Sequence, residues 1–531
     1  MVEREWREAS DMRPSVAGLG VVLAVAAILR FWALGSGIPF AVAAGEPELM
    51  ARVVRMMQTG DFNPHFFDQP ALYAYVQLAV ACLRFVFGAS AGSWGALGQV
   101  TADDFYLWGR FVTAVLGTAT VYLVYLIGMR WGARHALLAA GLMAVIPNHV
   151  RESHYVLTNV PMAFFTTLSF LLTLRALEKQ TLGAFGWAGA TAGLAAATKY
   201  PGGLILVAPL LAAYLISNPS RPRRSFVLSA LGAAVGSFLI AAPCTLFDLP
   251  HFLDGLAHVA GTAQGSHAGG EPGWVTYANA LRGGLWWPGI ALLLWGTGQA
   301  VVRATGGPGK ARFALLVAFP GLYVAVAATR AGVEARSLMP VFPMASLLIA
   351  IAIVSGVSVL RRFSIPRAAR TALIVAFTVV AILPPAIAAI VFDRSAGRVS
   401  TYALAYSWIS QHVPAGSNVV VEAGDFRLPA ARYHVVTVGR LIDVDYETYL
   451  ARRVDYLVAF PDAYGNAPGA AHRHPTDDVA YQSLLARTTL VQAIDPSRTN
   501  PGPQIRILKC VSSVTPVTDS KAVEKVNRPG R

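Results

Sequence analysis

The chain has 531 residues, of which 55% are hydrophobic and only 14% charged, against about 25% charged in soluble domains. Its formal net charge is +14, but the bases sit in short loops between apolar runs, where they set membrane topology rather than bind nucleic acid. Cys82, Cys244 and Cys510 are the three cysteines, which excludes a disulfide framework and shows no metal-ligand spacing.

In chain order, residues 1–14 mix acids and bases and no small-residue cleavage site follows, so the segment reads as a cytoplasmic N-terminus before a retained anchor. Apolar runs that cross or nearly cross a bilayer are predicted near 15–34, 105–128, 134–147, 158–177, 183–198, 202–217, 226–247, 284–304, 312–330, 338–356 and 370–392. The stretch 71–88 is ambiguous. If it crossed alone, every later loop would flip and the clusters Arg221/Arg223/Arg224 and Arg361/Arg362/Arg367/Arg370 would face outward, against the positive-inside rule. Eleven crossings are therefore expected, with 71–88 at the outer face; thirteen preserve the same parity. Segments 35–104, 148–157, 248–283 and 330–337 then share the outer surface with everything after residue 392.

The first outer segment carries Leu49, Val53, Met56 and Met57 at helical spacing. Glu46 and Glu48 stand in the first turn, where a carboxylate favours the helix dipole, and Gly60 stops the run. The pattern is a short amphipathic helix on the membrane surface; the same residues also suit a plain interfacial anchor with capping acids. Asp61 to Tyr75 follows, rich in Pro, Asn, Asp and aromatics, with His65 and Asp68 in one loop. The second outer loop, Pro147 to Pro161, gathers His149, Arg151, Glu152, His154 and Asn159. Ionisable residues at membrane depth usually face a polar cavity, although a wet loop explains them equally. Lys199 and Arg336 end apolar runs on the same side, where either could simply snorkel. Carboxylates and cations gathered at one interface suit a substrate with a phosphate head and a lipid tail. Arg and Lys clamp phosphate, and a carboxylate serves as general base toward a hydroxyl.

Residues 400–412 suit an amphipathic helix and Val419–Glu422 a strand, with further strands near 434–438, 455–459 and 505–509. The alternation predicts a small α/β domain over 393–514. It has no Gly-rich phosphate loop, which leaves an accessory or acceptor-recognition role. The tail at 515–531 reads as disordered.

Four stretches together resemble a known family: Gly45-Glu46-Pro47 with Thr59-Gly60-Asp61-Phe62-Asn63-Pro64-His65; Asp68-Gln69-Pro70-Ala71-Leu72-Tyr73; Ser153-His154 through Thr158-Asn159-Val160-Pro161 with Thr198-Lys199; and Arg336 leading into Leu338-Met339-Pro340. In order and spacing the chain resembles the GT-C glycosyltransferases of the protein O-mannosyltransferase and aminoarabinose-transferase type. The resemblance implies a membrane all-α, polytopic GT-C helical bundle over 15–392 with a small extracytoplasmic α/β domain, in the plasma (inner) membrane. It implies transfer of a sugar, mannose or a pentose, from a polyprenyl-phosphate donor to a lipid, glycan or protein acceptor, with inversion.

Carried onto this sequence, Glu46 is the general base with Asp68 in support. His154, Lys199, Arg336 and Arg52 bind the donor phosphate, and His65, Arg151, Asn159 and Tyr73 support them. Two acids that relatives generally keep are Gly45 and Asn159 here. No cofactor is demanded; a divalent metal is the open candidate, because Asp68 matches a metal-binding acid of the aminoarabinose transferases, with His258 and His267 as candidate co-ligands. The competing readings are a non-catalytic relative that binds a lipid-linked glycan or partner protein, and a flippase. Against the flippase, there is no inverted repeat and no matched pair of broken helices.

Overall fold

The computed structural model describes residues 16–39, 43, 45–216, 220–262, 272–307, 309–329, 333–360, 366–422, 426–429, 432–460 and 475–510. His267, the N-terminal segment 1–14 and the tail at 515–531 lie outside the described residues. The chain divides into two units that part between Gly397 and Arg398.

The larger unit is helical throughout: α1 (Val16–Phe31), α2 (Glu46–Thr59), α3 (Leu72–Ser90), α4 (Tyr106–Gly128), α5 (Ala133–Val145), α6 (Pro147–Glu152), α7 (Asn159–Lys179), α8 (Leu182–Thr198), α9 (Val207–Leu215), α10 (Arg223–Ala241), α11 (Cys244–Phe247), α12 (Leu249–Thr262), α13 (Gly273–Thr305), α14 (Lys310–Ala328), α15 (Phe342–Leu360) and α16 (Arg367–Ala396). Short 3₁₀ stretches at Tyr200–Leu206 and Ala335–Val341 lead into α9 and α15. Seven helical runs among the described residues are long and apolar enough to cross a membrane, with α1, α5 and Tyr200–Leu215 shorter but apolar. The protein is a multi-pass membrane protein. The stretch left at the outer face on loop-charge grounds is α3, a 19-residue helix that itself has the length and apolarity of a span. Leu83, Val86 and Phe87 are exposed along it, as on a lipid-facing surface. The loop-charge rule weighs the flanks of a segment and not the segment itself; a crossing by α3 keeps the expected parity only with one further crossing, the thirteen-crossing alternative.

Small residues set the tightest helix contact. Gly189 and Gly193 of α8 sit one turn apart, directly over Ala230 and Ala234 of α10. A Cβ built on Gly189 would lie 2.0 Å from the Ala230 carbonyl oxygen, and one on Gly193 would lie 2.1 Å from that of Ala234. This is the small-xxx-small device by which helices in lipid bring their backbones together.

Helix α2 forms where its amphipathic spacing places it. Gly45 precedes it at φ 95°, Pro47 stands in its first turn, and Gly60, at φ 71°, ends it by donating its N–H to the Met56 carbonyl at 3.1 Å. Leu49, Met50, Val53, Val54, Met56 and Met57 form its buried face.

The smaller unit contains α17 (Thr401–His412), β1 (Asn418–Glu422), β2 (His434–Val438), α18 (Tyr446–Ala451), β3 (Tyr456–Ala459), α19 (Pro475–Arg487), β4 (Thr488–Ile494) and β5 (Ile505–Cys510). Its sheet runs β2-β1-β3-β5-β4. Strand β1 is parallel to β2 and β3, and β5 is antiparallel to both its neighbours. Alternation splits the core: Val419 and Val421 pack into one apolar cluster with Ile409 and Phe426, and Val420 into another with Leu441 and Leu457. Strand β4 was not expected from sequence; a register shift between Leu490 and Gln492 breaks the alternation that would have shown it. Glu422 is fully buried and accepts N–H bonds from Leu441 at 3.0 Å and Phe460 at 2.7 Å, and the Tyr481 hydroxyl. It closes the end of β1.

Candidate active site

Glu46, the first residue of α2, is fully buried, and its carboxylate accepts four hydrogen bonds. Arg110 Nε donates to Oε1 at 2.9 Å and Arg110 Nη2 to Oε2 at 2.7 Å; the Val156 N–H reaches Oε1 at 2.7 Å and the Ala43 N–H reaches Oε2 at 2.9 Å. Arg110 spends its Nη1 on the carbonyls of Leu34, at 3.0 Å, and Ser36, at 2.7 Å. A carboxylate offers about four lone-pair sites, so Glu46 has none left for a substrate. This corrects its assignment as general base: Glu46 is a tie between α2, α4 and the Tyr155–Val156 backbone. Arg110 was overlooked in an apolar run. The available signal was a lone arginine within a membrane helix, which demands a partner.

Beside this tie opens a cavity walled by the polar side chains of Glu48, Arg52, Gln69, Thr158, Asn159, Lys199, Glu334 and Arg336, with Gly45, Leu49, Phe66, Val156 and Leu157 completing it. Three of the four cations assigned to a donor phosphate meet here. Arg52 lies with its guanidinium carbon 3.5 Å from the Phe66 ring centroid, and its Nη2 is 3.9 Å from Glu48 Oε2. Lys199 Nζ donates to Asn159 Oδ1 at 2.9 Å and Ser337 Oγ at 3.4 Å. Burial pulls the Lys199 ammonium below its ordinary range, with the charges of Glu334 and Glu152 opposing. Arg336 forks onto Glu334. Burial works to raise the Glu334 carboxyl, but the hydrogen bonds and charge of Arg336 prevail and hold it below its ordinary range.

Asn159 joins two layers, accepting from Lys199 and donating from Nδ2 to Glu152 Oε2 at 3.3 Å. Burial raises the Glu152 carboxyl, against the charges of Arg151 and Arg336. Arg151 reaches Glu152 Oε1 at 3.7 Å. Glu334 and Glu48 carried no site role in the sequence; Glu48 stands there as a first-turn acid that favours the helix dipole.

The remaining assignments fall away from the cavity. The His154 ring is buried, with Nδ1 2.9 Å from the Val150 carbonyl oxygen, Nε2 2.9 Å from that of Trp32, and Nε2 3.7 Å from Asp393 Oδ1. Both ring nitrogens meet backbone carbonyls away from the cavity, so a phosphate-binding role for His154 is corrected to a structural one. Tyr73 is buried with its hydroxyl 2.5 Å from Thr113 Oγ1. His65 contacts Asp61 Oδ2 at 2.7 Å and Asp248 Oδ2 at 4.0 Å. Asp68 and His258, 190 residues apart, meet with Oδ2 and Nδ1 at 3.1 Å. That pair offers two donors to a divalent ion. Among the described residues no three His, Cys, Asp or Glu side chains group to hold one.

The fold has known counterparts. Residues 104–247 match the family model described as dolichyl-phosphate-mannose-protein mannosyltransferase. The solved structure of ArnT from Cupriavidus metallidurans bound to undecaprenyl phosphate superposes with a TM-score of 0.56 at 16% identity, covering 94% of this chain and 98% of that one. The Archaeoglobus fulgidus oligosaccharyltransferase in its apo form gives 0.56 at 14% identity, covering 85% and 70%. The oligosaccharyltransferase AglB from Archaeoglobus fulgidus, in complex with an inhibitory peptide and a dolichol-phosphate, gives 0.54 at 14%, covering 84% and 69%. No curated protein sequence matches the chain. The bundle and its small α/β unit have the GT-C fold that the sequence resemblance implied.

Proposed function

We propose that this chain is a membrane glycosyltransferase that moves a sugar from a polyprenyl-phosphate donor to an acceptor hydroxyl at the outer face, with inversion at the anomeric carbon. The observation that carries this reading is the meeting of Arg52, Lys199 and Arg336 on one cavity beside Glu48. Three fixed cations suit the charge that grows on a departing phosphate, and a carboxylate alongside suits a hydroxyl that must lose its proton. ArnT bound to undecaprenyl phosphate and AglB in complex with a dolichol-phosphate share the fold, which favours a lipid phosphate over a soluble nucleotide sugar. Mannose or a pentose is the sugar proposed, and a lipid, glycan or protein the acceptor. The N-terminus is assigned to the cytoplasm and the smaller unit to the outside, from the loop charges, with eleven crossings or, where α3 crosses with one further segment, thirteen.

A second reading, a relative that binds donor without transferring it, is favoured by the saturation of Glu46 and by Gly45 and Asn159 at positions where the resemblance implies acids. One experiment separates the two. Purified protein in lipid nanodiscs is given radiolabelled polyprenyl-phosphate mannose, or the pentose analogue, with membrane extract of its host. Label that reaches a lipid, glycan or protein supports the transferase. Donor binding with no transfer to any acceptor fraction overturns it in favour of the second reading.

A further inference from the structure

We infer that Glu48 is the general base, the group that takes the acceptor's hydroxyl proton; this rests on the transferase reading above. Five carboxylates surround the cavity, and four are spoken for or face elsewhere. Glu46 accepts four hydrogen bonds and is fully buried. Both oxygens of Glu334 are gripped by Arg336. Glu152 stands behind Asn159, off the cavity wall, and contacts Arg151 as well. Asp68 is off the wall too and turns to His258.

Glu48 is on the wall, with its side chain 73% exposed. Its one charged contact among the described residues is Arg52 at 3.9 Å, too long for a hydrogen bond. Its oxygens therefore keep their lone pairs. Gly45, one turn earlier on the same wall, contributes no side chain, which leaves that stretch to Glu48. Arg52, one turn later, brings a cation to the same surface. The i, i+4 spacing puts Glu48 and Arg52 on one face of the helix at the cavity.

In the transfer step a Glu48 oxygen accepts the hydroxyl proton and the acceptor oxygen forms the new bond to the anomeric carbon. The bond from that carbon to the donor phosphate oxygen breaks, its electron pair staying on the polyprenyl phosphate beside Arg52, Lys199 and Arg336. Glu46 is a positioning residue: it fixes the start of α2, and so the direction in which Glu48 points.

The test uses the full chain in nanodiscs with polyprenyl-phosphate mannose as the probe. Glu48→Gln is expected to lose kcat by about 10²- to 10⁴-fold, the usual weight of a general base, with unchanged donor affinity and unchanged thermal midpoint. Formate is expected to restore part of the turnover of Glu48→Ala. Wild-type turnover in Glu48→Gln overturns the assignment and leaves the transferase reading standing. So does a loss that follows weakened donor binding or a lowered midpoint. A wild-type chain that transfers nothing overturns the transferase reading and the assignment with it.

Discussion

Changing Glu46 to Gln would place an amide NH₂ where the carboxylate now meets only donors: Arg110, the Val156 N–H and the Ala43 N–H. Arg110, 1% exposed at its side chain, would be left as a buried charge without a counter-ion, a change that costs about 3–5 kcal/mol. Glu46→Gln is therefore expected to lower the thermal midpoint in detergent, with activity lost in step with folded protein. The double variant Glu46→Leu/Arg110→Met should recover part of that midpoint, because it removes the orphaned buried charge, and part only, because the Ala43 and Val156 N–H groups and the Leu34 and Ser36 carbonyls lose their partners. A midpoint unchanged in Glu46→Gln would refute the tie. The helix carrying this carboxylate was legible from Gly45 to Gly60, and the cations Arg52, Lys199 and Arg336 from the loops they occupy. Which acid of Glu46 and Glu48 looks inward was not legible. The difference is set by Arg110, 64 residues away, and no local periodicity reports a partner at that distance. Asn159 joins Lys199 to Glu152 by the same kind of long-range contact.

Between elements, the α8–α10 contact and the docking of α12 make separate predictions. Gly189→Leu and Gly193→Leu each force a side chain into a backbone carbonyl, an overpacking that costs about 1–3 kcal/mol. Both should lower the folded fraction in a detergent titration, while Gly183→Leu, with open space around it, should not.

Helix α12 is held against the loop 61–68 by polar pairs. His251 Nδ1 is 2.5 Å from Asp248 Oδ1, Asn63 Nδ2 donates to Asp248 Oδ2 at 2.7 Å, and His258 meets Asp68. The hydrogen bond to Asp248, and then its charge, lifts His251 above its ordinary 6.5. Its contribution is full below about 6.5 and is lost as pH rises through the lifted value. The His251 and Asn63 hydrogen bonds depress Asp248 below its ordinary 3.8. That contribution is present above about 3.8 and is lost as pH falls through the depressed value. Backbone exchange of α12, corrected for intrinsic rate, should be slowest between those limits and should quicken on the alkaline side. His251→Phe should abolish the alkaline change; its persistence would place the cause elsewhere.

At the scale of the whole chain, the split between Gly397 and Arg398 separates two bodies with separate apolar cores. The smaller unit covers both faces of its sheet with its own side chains, as an independent domain does. A fragment of residues 398–531 is expected to be soluble without detergent and to give a cooperative thermal transition by circular dichroism. A fragment that aggregates or melts without cooperativity would show that the bundle is needed to fold it. The division was legible because hydrophobic runs end near residue 392; the strand order was not, since nothing local says that β5 enters between β3 and β4. That order reaches into biosynthesis. Of the five strands, β5 is the last to be made, yet two others depend on it for pairing. Until residues 505–510 have left the ribosome, β3 and β4 each carry an open edge. A message cut short between the end of the bundle and β5 would yield a bundle already in the membrane with an unfinished sheet attached, the kind of exposed edge that chaperones and proteases recognise. The position of one late strand thus makes the smaller unit a check that translation has run past residue 510.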